Sequence, residues 1–207
     1  MKTIAIIGAG GKTGRAFVKA ALATGHTVKA GVHRHNPFDP QEKLEIYRID
    51  ATNPHNVARL VCGADVIVSL LGHTKDSPKR VQTDATKIVT EEMRKHNISR
   101  IISLTGTGVR FPGDEISLID RILNTSIKTI DPNRIEDGIE HADILKQSQL
   151  DWTIVRVLKL TNRALGPFTL SAGGPAKTLV PRRDVAQAIL EIIEKDTFLR
   201  KAPVISN

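Results

Sequence analysis

The run Ile4-Ala5-Ile6-Ile7-Gly8-Ala9-Gly10-Gly11-Lys12-Thr13-Gly14 constrains the fold more than any other part of the chain. A short apolar strand empties into glycines spaced Gly8-x-x-Gly11-x-x-Gly14. A small-residue apolar stripe at helical spacing follows at Ala16, Phe17, Ala20, Ala21 and Ala23. Glycine at such a turn removes the Cβ that would block close approach of a pyrophosphate. A helix that begins there aims unpaired N–H groups and its positive dipole end at the anion. Gly25 suits the end of this helix, and Thr27-Val28-Lys29-Ala30-Gly31-Val32 reads as a second strand. The segment 4–32 therefore predicts a βαβ unit that cradles phosphate through Gly8, Gly11, Lys12, Thr13 and Gly14.

The end of the second strand chooses between dinucleotides. A carboxylate there binds the ribose 2′-hydroxyl of NAD, whereas a basic group accommodates the 2′-phosphate of NADP. This chain has His33-Arg34-His35, and the first acid afterwards is Asp39, beyond Pro37. Lys12 and Arg15 add positive charge on the same side. The charge argument predicts NADP(H) in preference to NAD(H), with His33 and Arg34 at the 2′-phosphate. The competing reading makes Arg34 a solvated surface cation.

With 207 residues, 40% of them hydrophobic and 25% charged, the chain suits one α/β unit over 1–207, with substrate-side insertions near 107–133 and 159–183. Aromatics are only 3%, so the core must be aliphatic. Cys62 is the sole cysteine, which excludes an intrachain disulfide and a multi-cysteine metal site and fits a reducing, cytoplasmic compartment. Neither an export signal nor a run near the ~20 apolar residues of a membrane span is visible. The net charge of +8 is dispersed and not interleaved with stacking aromatics, so no nucleic-acid partner is expected. An anionic dinucleotide and an anionic substrate account for part of that excess. The expected partner is a small-molecule substrate, and the expected state a monomer or homodimer.

Strands and helices keep alternating after the first unit, the pattern of a doubly wound, mostly parallel sheet with helices on both faces. Strands are expected at 44–49, 65–72, 100–106 and 152–157, and helices at 54–61, 78–96, 134–148 and 184–194. Residues 168–170 and 178–180, separated by Ser171-Ala172-Gly173-Gly174-Pro175, read as a hairpin, and 203–205 as a final strand. Ile116, Ile119, Ile122 and Leu123 fall at helical spacing, either in a cap over the site or in a helix packed on the sheet edge.

In such a sheet the ligand lies across the carboxyl ends of the strands. The candidates there are the glycine run, His33-Arg34, Asp50-Ala51, Leu70-Leu71-Gly72, Leu104-Thr105-Gly106 and Val157-Leu158-Lys159. Asp50 either accepts from the adenine amino group or caps a turn. Ser103 is expected to pack within its strand, and Thr105, on the same face, to lie nearer the crevice. His33 and His35 lack a third ligand at convincing spacing, so no metal is expected. Among the lone histidines, only His73 lies at a strand end facing the crevice, as a candidate substrate contact.

The glycine spacing, Arg34, Asp50, Ser69-Leu70-Leu71-Gly72, the run from Leu145 to Arg156 and Pro181-Arg182-Arg183-Asp184-Val185-Ala186 together resemble an atypical NAD(P)-binding branch of the short-chain dehydrogenase/reductase superfamily. That branch includes flavin/biliverdin-IXβ reductases and NmrA-like proteins. The resemblance implies a Rossmann sheet of strand order 3-2-1-4-5-6 with a possible seventh strand, and an NADPH-dependent reductase acting on a small planar or carbonyl acceptor. It also brings departures. Most catalytic members pair tyrosine and lysine as Tyr-x-x-x-Lys, but the only tyrosine here, Tyr47, belongs to the third strand, and Arg134 and Gly138 stand near the expected segment. The flavin/biliverdin reductases place serine after strand five and histidine after strand six, where this chain has Gly106, beside Thr105, and Lys159. Thr105 and Lys159 are thus the candidates to orient or polarise an acceptor beneath the Phe111 and Phe168 loops. The alternatives are a non-catalytic NADP(H)-sensing protein and a sugar-nucleotide epimerase or dehydratase.

Overall fold

The computed structural model describes every residue except Lys75, Leu165, Thr178 and Asn207. β1 (Thr3–Ile7) takes a central position because both its faces are apolar. Ile4 and Ile6 enter the core on one side, Ala5 and Ile7 the core on the other. It is flanked in parallel by β2 (Thr27–Val32) and β4 (Val66–Ser69), so the strand order reverses beside it. β3 (Leu44–Arg48), β5 (Arg100–Gly106) and β6 (Asp151–Val157) extend the sheet. The further expected strand is β10 (Val204–Ser206), parallel to β6, and it carries β8 (Thr169–Ser171) antiparallel on its outer edge. The full order, β3-β2-β1-β4-β5-β6-β10-β8, contains the expected 3-2-1-4-5-6.

The expected hairpin does not form. Leu170 pairs with Ile205 across the open edge of β10, while β9 (Val180–Pro181) pairs in parallel with β7 (Leu160–Thr161) in a separate two-stranded ribbon. The two presumed arms therefore satisfy their backbones in different sheets. Thr178, the first residue of the second presumed arm, lies outside the described residues.

α1 (Lys12–Ala23) and α6 (Arg182–Lys195) cover one face, where Phe17, Val18 and Ala21 meet Ile189, Ile192 and Ile193 over Ile4, Ile6 and Val28. Burying Phe17 completely is worth roughly 1.5–3 kcal/mol, so truncating it would open a cavity at the centre of this layer. α2 (Pro54–Val61), α3 (Val81–Lys95) and α5 (Pro132–Gln147) cover the other face. α2 starts as its sequence dictates: Asn53 accepts from the N–H of Asn56 and Pro54 occupies the first turn. α3 begins at Val81, later than the expected Pro78. Its first turn is capped from outside, by the Asp137 carboxylate accepting from the N–H groups of Gln82 and Thr83.

α4 (Leu118–Ile130) packs chiefly against α5, and its Leu123 meets the small cluster of Leu158, Ala176 and Val204. Its inward side is polar: Asp120 is buried and bonded to Thr107, Arg110 and Asn124, while Leu118, Ile122 and Ile130 are exposed. Phe111 is not a lid. Its ring lies 6.4 Å from that of Trp152, at the start of β6, and under Lys146, near the end of α5. The Arg156 guanidinium also stacks on it at 4.8 Å, so the ring is packed against β6 and α5. Among the described residues no helix is long and apolar enough to cross a membrane.

Candidate functional site

The glycine turn connects β1 to α1 with little room to spare. Gly8 adopts φ +81°, a conformation side chains disfavour, and a Cβ there would lie 2.9 Å from the Leu70 carbonyl oxygen at the end of β4. A Cβ on Gly14 would fall 2.6 Å from the Ala9 oxygen and closer still to that of Gly8. Glycine at these two positions lets the first turn of α1 sit directly on the strand–turn backbone. Gly11 is the N-cap residue of α1, and its N–H bonds to Gly8 O at 3.1 Å. No side chain caps this helix, and its first turn holds no acidic residue. The N–H groups of Lys12, Thr13 and Gly14 have no acceptor among the described residues, and the Lys12 side chain stands exposed beside them. An uncapped, acid-free helix start pressed against the central strands fits a dinucleotide pyrophosphate.

β2 ends at Val32, and His33, Arg34 and His35 follow it as exposed residues. The structure adds a neighbour that sequence reasoning missed. Asp76, from the connection between β4 and α3, lies 3.5 Å from Arg34, both side chains about 70% exposed. Nothing local in the sequence marks Asp76, because it lies on a different connection from its partner, far along the chain. Asp50 caps the lead into α2: its Oδ1 accepts from the Thr52 N–H and hydroxyl at 2.8 and 2.7 Å. Those bonds hold its carboxyl below the ordinary value, and Oδ2 takes no part in them. Ala51 beside it packs against the core on the face covered by α2, α3 and α5.

Leu70 is buried where β4 leaves the sheet, its N–H on Ile7 O, and the Leu71 carbonyl accepts from Gln82 Nε2 at 2.7 Å. Gly72 is open, with nothing within 4 Å of where a Cβ would stand. At the next strand ends, Leu104 is half-buried, while Thr105 and Val157 are buried. A Cβ on Gly138 would come within 3.0 Å of Thr105 Oγ1, so α5 runs close over the end of β5 at that point. Lys159 is exposed just beyond β6, its carbonyl accepting from the Val180 N–H.

α5 also contributes groups that no local signal identified. Asp137, fully enclosed, accepts from the N–H groups of Gln82 and Thr83 and from His73 Nε2 at 2.8 Å. One turn on, His141 Nε2 bonds to Ser103 Oγ at 3.0 Å, so Ser103 packs within its strand as expected but spends its hydroxyl on a helix. Burial depresses the His141 imidazole to about 4, so the ring is neutral at physiological pH. Tyr47 is remote from all of this. Its hydroxyl donates to Glu45 at 2.6 Å, and that bond, with burial, pushes it up to about 12.

Solved structures share this architecture at sequence identities that establish fold alone. A wide-type short-chain dehydrogenase/reductase from Veillonella parvula, in complex with NADP, aligns with a TM-score of 0.81 at 20% identity, over 100% of this chain and 94% of its own. A Streptococcus pneumoniae chain provisionally designated an NADH-flavin reductase gives 0.83 at 17%, over the whole of both chains. A Rossmann-fold NAD(P)-binding family protein from Shigella flexneri gives 0.74 at 22%, over 100% of this chain and 94% of its own. The sequence itself matches the NAD(P)H-binding family across residues 8–196, from the first glycine of the cradle to the end of α6. The chain belongs to the NAD(P)H-binding family.

Proposed function

We propose that this chain is an NADPH-dependent reductase that delivers hydride to a small planar or carbonyl acceptor such as a flavin, tetrapyrrole or quinone. The carrying observation is the uncapped start of α1 against β1, with a cationic segment and no acidic one directly after β2. Gly8, Gly11, Lys12, Thr13 and Gly14 hold the pyrophosphate, and His33 and Arg34 take the 2′-phosphate. Asp50 and Ala51 border the adenine. Leu70, Leu71 and Gly72, with Leu104, Thr105 and Val157, floor the ribose and nicotinamide end. Bound NADPH supplies the hydride. Thr105 and Lys159 orient the acceptor, Thr105 from beneath and Lys159 from the rim.

Following the loss of reduced-nicotinamide absorbance with FMN, biliverdin and quinones tests this reading. Turnover with at least one acceptor, faster with NADPH than with NADH, is expected. Tight NADP(H) binding with no turnover on any acceptor overturns it in favour of a second reading, a non-catalytic NADP(H)-sensing protein. One observation favours that second reading: the only phenol, Tyr47, is committed to Glu45, and α5 offers Arg134 and Gly138 where a Tyr-x-x-x-Lys pair would stand.

A further inference from the structure

We infer that the cleft between the β4–α3 connection and the first turn of α5 binds an oxyanion substituent, carboxylate or phosphate, of the acceptor. The inference rests on the reductase reading above and names its substrate class. The cleft encloses about 280 Å³, and its charged and amide-bearing walls are His73, Lys79, Asp131, Asn133 and Arg134. That volume lies at the small end for ligand sites, so it suits one charged substituent and not a whole acceptor.

Its donors are unspent. Lys79 Nζ and the Asn133 side chain have no partner among the described residues. Arg134 uses only Nε, on Asp131 at 3.3 Å, which leaves both terminal nitrogens of its fork open. Asp131 is the single carboxylate on the wall, and Arg134 already answers it. No side chain caps the first turn of α5, but Pro132 has no N–H and the Arg134 N–H bonds to the Asp131 carbonyl at 3.2 Å, so the positive field of the cleft comes from Lys79 and Arg134.

His73 supplies the independent observation. Its side chain is only 9% exposed, and its Nε2 is fixed on Asp137. Nδ1 has no partner among the described residues and is not one of the enclosed nitrogens left unsatisfied, and His73 lines the cleft; as the imidazolium that ion-pairs with Asp137, the ring carries an Nδ1–H donor for an oxyanion. Asp137 is itself held by the start of α3, which fixes the ring orientation. A nine-tenths buried ring held this way is a fixed polar wall of the cleft, not a solvated surface group. His73 also directly follows Gly72, and Asp137 directly precedes Gly138, which backs Thr105. A molecule anchored here by its charge therefore extends its uncharged part toward the strand ends.

The test is an NMR titration of protein labelled at histidine rings and backbone amides, with and without saturating NADP⁺. The probes are benzoate, phenyl phosphate and neutral benzamide. Expected are shifts of the His73 ring and of the Asn133 and Arg134 amides by the anions, with affinity about ten-fold above that for benzamide, and loss of that preference in Lys79→Ala/Arg134→Ala. Comparison of benzoate with phenyl phosphate identifies the preferred oxyanion. Equal response to benzamide, anion shifts confined to the Lys12–Gly14 amides, or an unchanged preference in the double variant each overturn the inference. If NADP⁺ leaves the Lys12–Gly14 amides unmoved, the reductase reading fails instead, and the titration of free protein still decides the cleft.

Discussion

Arg156 and Asp114 form a buried ion pair that ties the chain leaving β5 back onto β6. Arg156 Nη2 donates to Asp114 Oδ1 at 2.7 Å and Nη1 to Oδ2, while Nε reaches the Ala202 carbonyl and Phe111 covers the guanidinium at 4.8 Å. Burial alone would raise the Asp114 carboxyl, but the hydrogen bonds from Arg156 and the Phe111 N–H, with the charges of Arg156 and Arg110, outweigh it and hold the group below its ordinary value. Asp114→Ala strands a guanidinium that is 1% exposed, at a cost of about 3–5 kcal/mol in unfolding free energy. Replacing both partners, as Asp114→Leu/Arg156→Met, recovers most of it. Denaturant unfolding measures both, and a single variant losing under about 1 kcal/mol rules out the pin.

The glycines of the cradle separate into two kinds. Gly14→Ala forces a Cβ into the Ala9 and Gly8 carbonyl oxygens, so a fall in stability of about 1–3 kcal/mol or more is expected together with lost NADP(H) binding. Gly11→Ala meets only Gly8 O, at 3.3 Å, and keeps helical and thermal signatures close to the parent. Its added methyl stands in the phosphate approach, and affinity drops about ten-fold or more. Calorimetry paired with thermal melts distinguishes the two. Equal melting temperatures for both variants would contradict the packing role of Gly14.

Legibility followed the range of the interactions. β1, the glycine turn and α1 were readable because strand, turn and helix are local patterns, and the central strands because burial on both faces leaves continuous apolar runs such as Val66-Ile67-Val68. The stripe Ile116, Ile119, Ile122 and Leu123 misled because periodicity reports amphipathicity and not which face turns inward: only Leu123 reaches a buried cluster. Here Asp120 and Asn124 bond to the buried Thr107, Asp120 also takes the exposed Arg110, and Ile116, Ile119 and Ile122 are left outside. The failed hairpin arose similarly, since Leu170 gains more from the free edge of β10 than from a local turn partner. In the candidate site, the glycine turn and the helix start after it were legible, whereas Asp76 beside Arg34 and Asp137 behind His73 are long-range pairings with no spacing to read.

The Arg34–Asp76 pair bears directly on cofactor choice. Both side chains are largely solvated, so the pair is worth little to stability. Asp76 does compete for the guanidinium that the 2′-phosphate would use. Asp76→Ala should therefore raise affinity for NADPH while leaving NADH affinity unchanged, and Arg34→Glu should lower NADPH affinity about ten-fold or more relative to NADH. Both are read by fluorescence titration with the two cofactors. If Arg34→Glu leaves the NADPH/NADH ratio untouched, the 2′-phosphate assignment to Arg34 is wrong.

His141 gives the fold a specific acid sensitivity. Its imidazole is buried between α5 and β5 and depressed from 6.5 to about 4 chiefly by desolvation. The unfolded chain therefore takes up a proton at a higher pH than the folded one does. The sign follows: the stability associated with a neutral His141 is fully present above pH 6.5, is lost progressively as pH falls, and is gone below about 4. The shift corresponds to a loss on the order of 3 kcal/mol across that window. His141→Gln retains a group able to bond to Ser103 but cannot titrate. Its unfolding free energy should consequently fall less steeply than the parent's between pH 6.5 and 4, with the two curves parallel above pH 7. Parallel curves throughout the acid window would show that the histidine does not titrate between the folded and unfolded states.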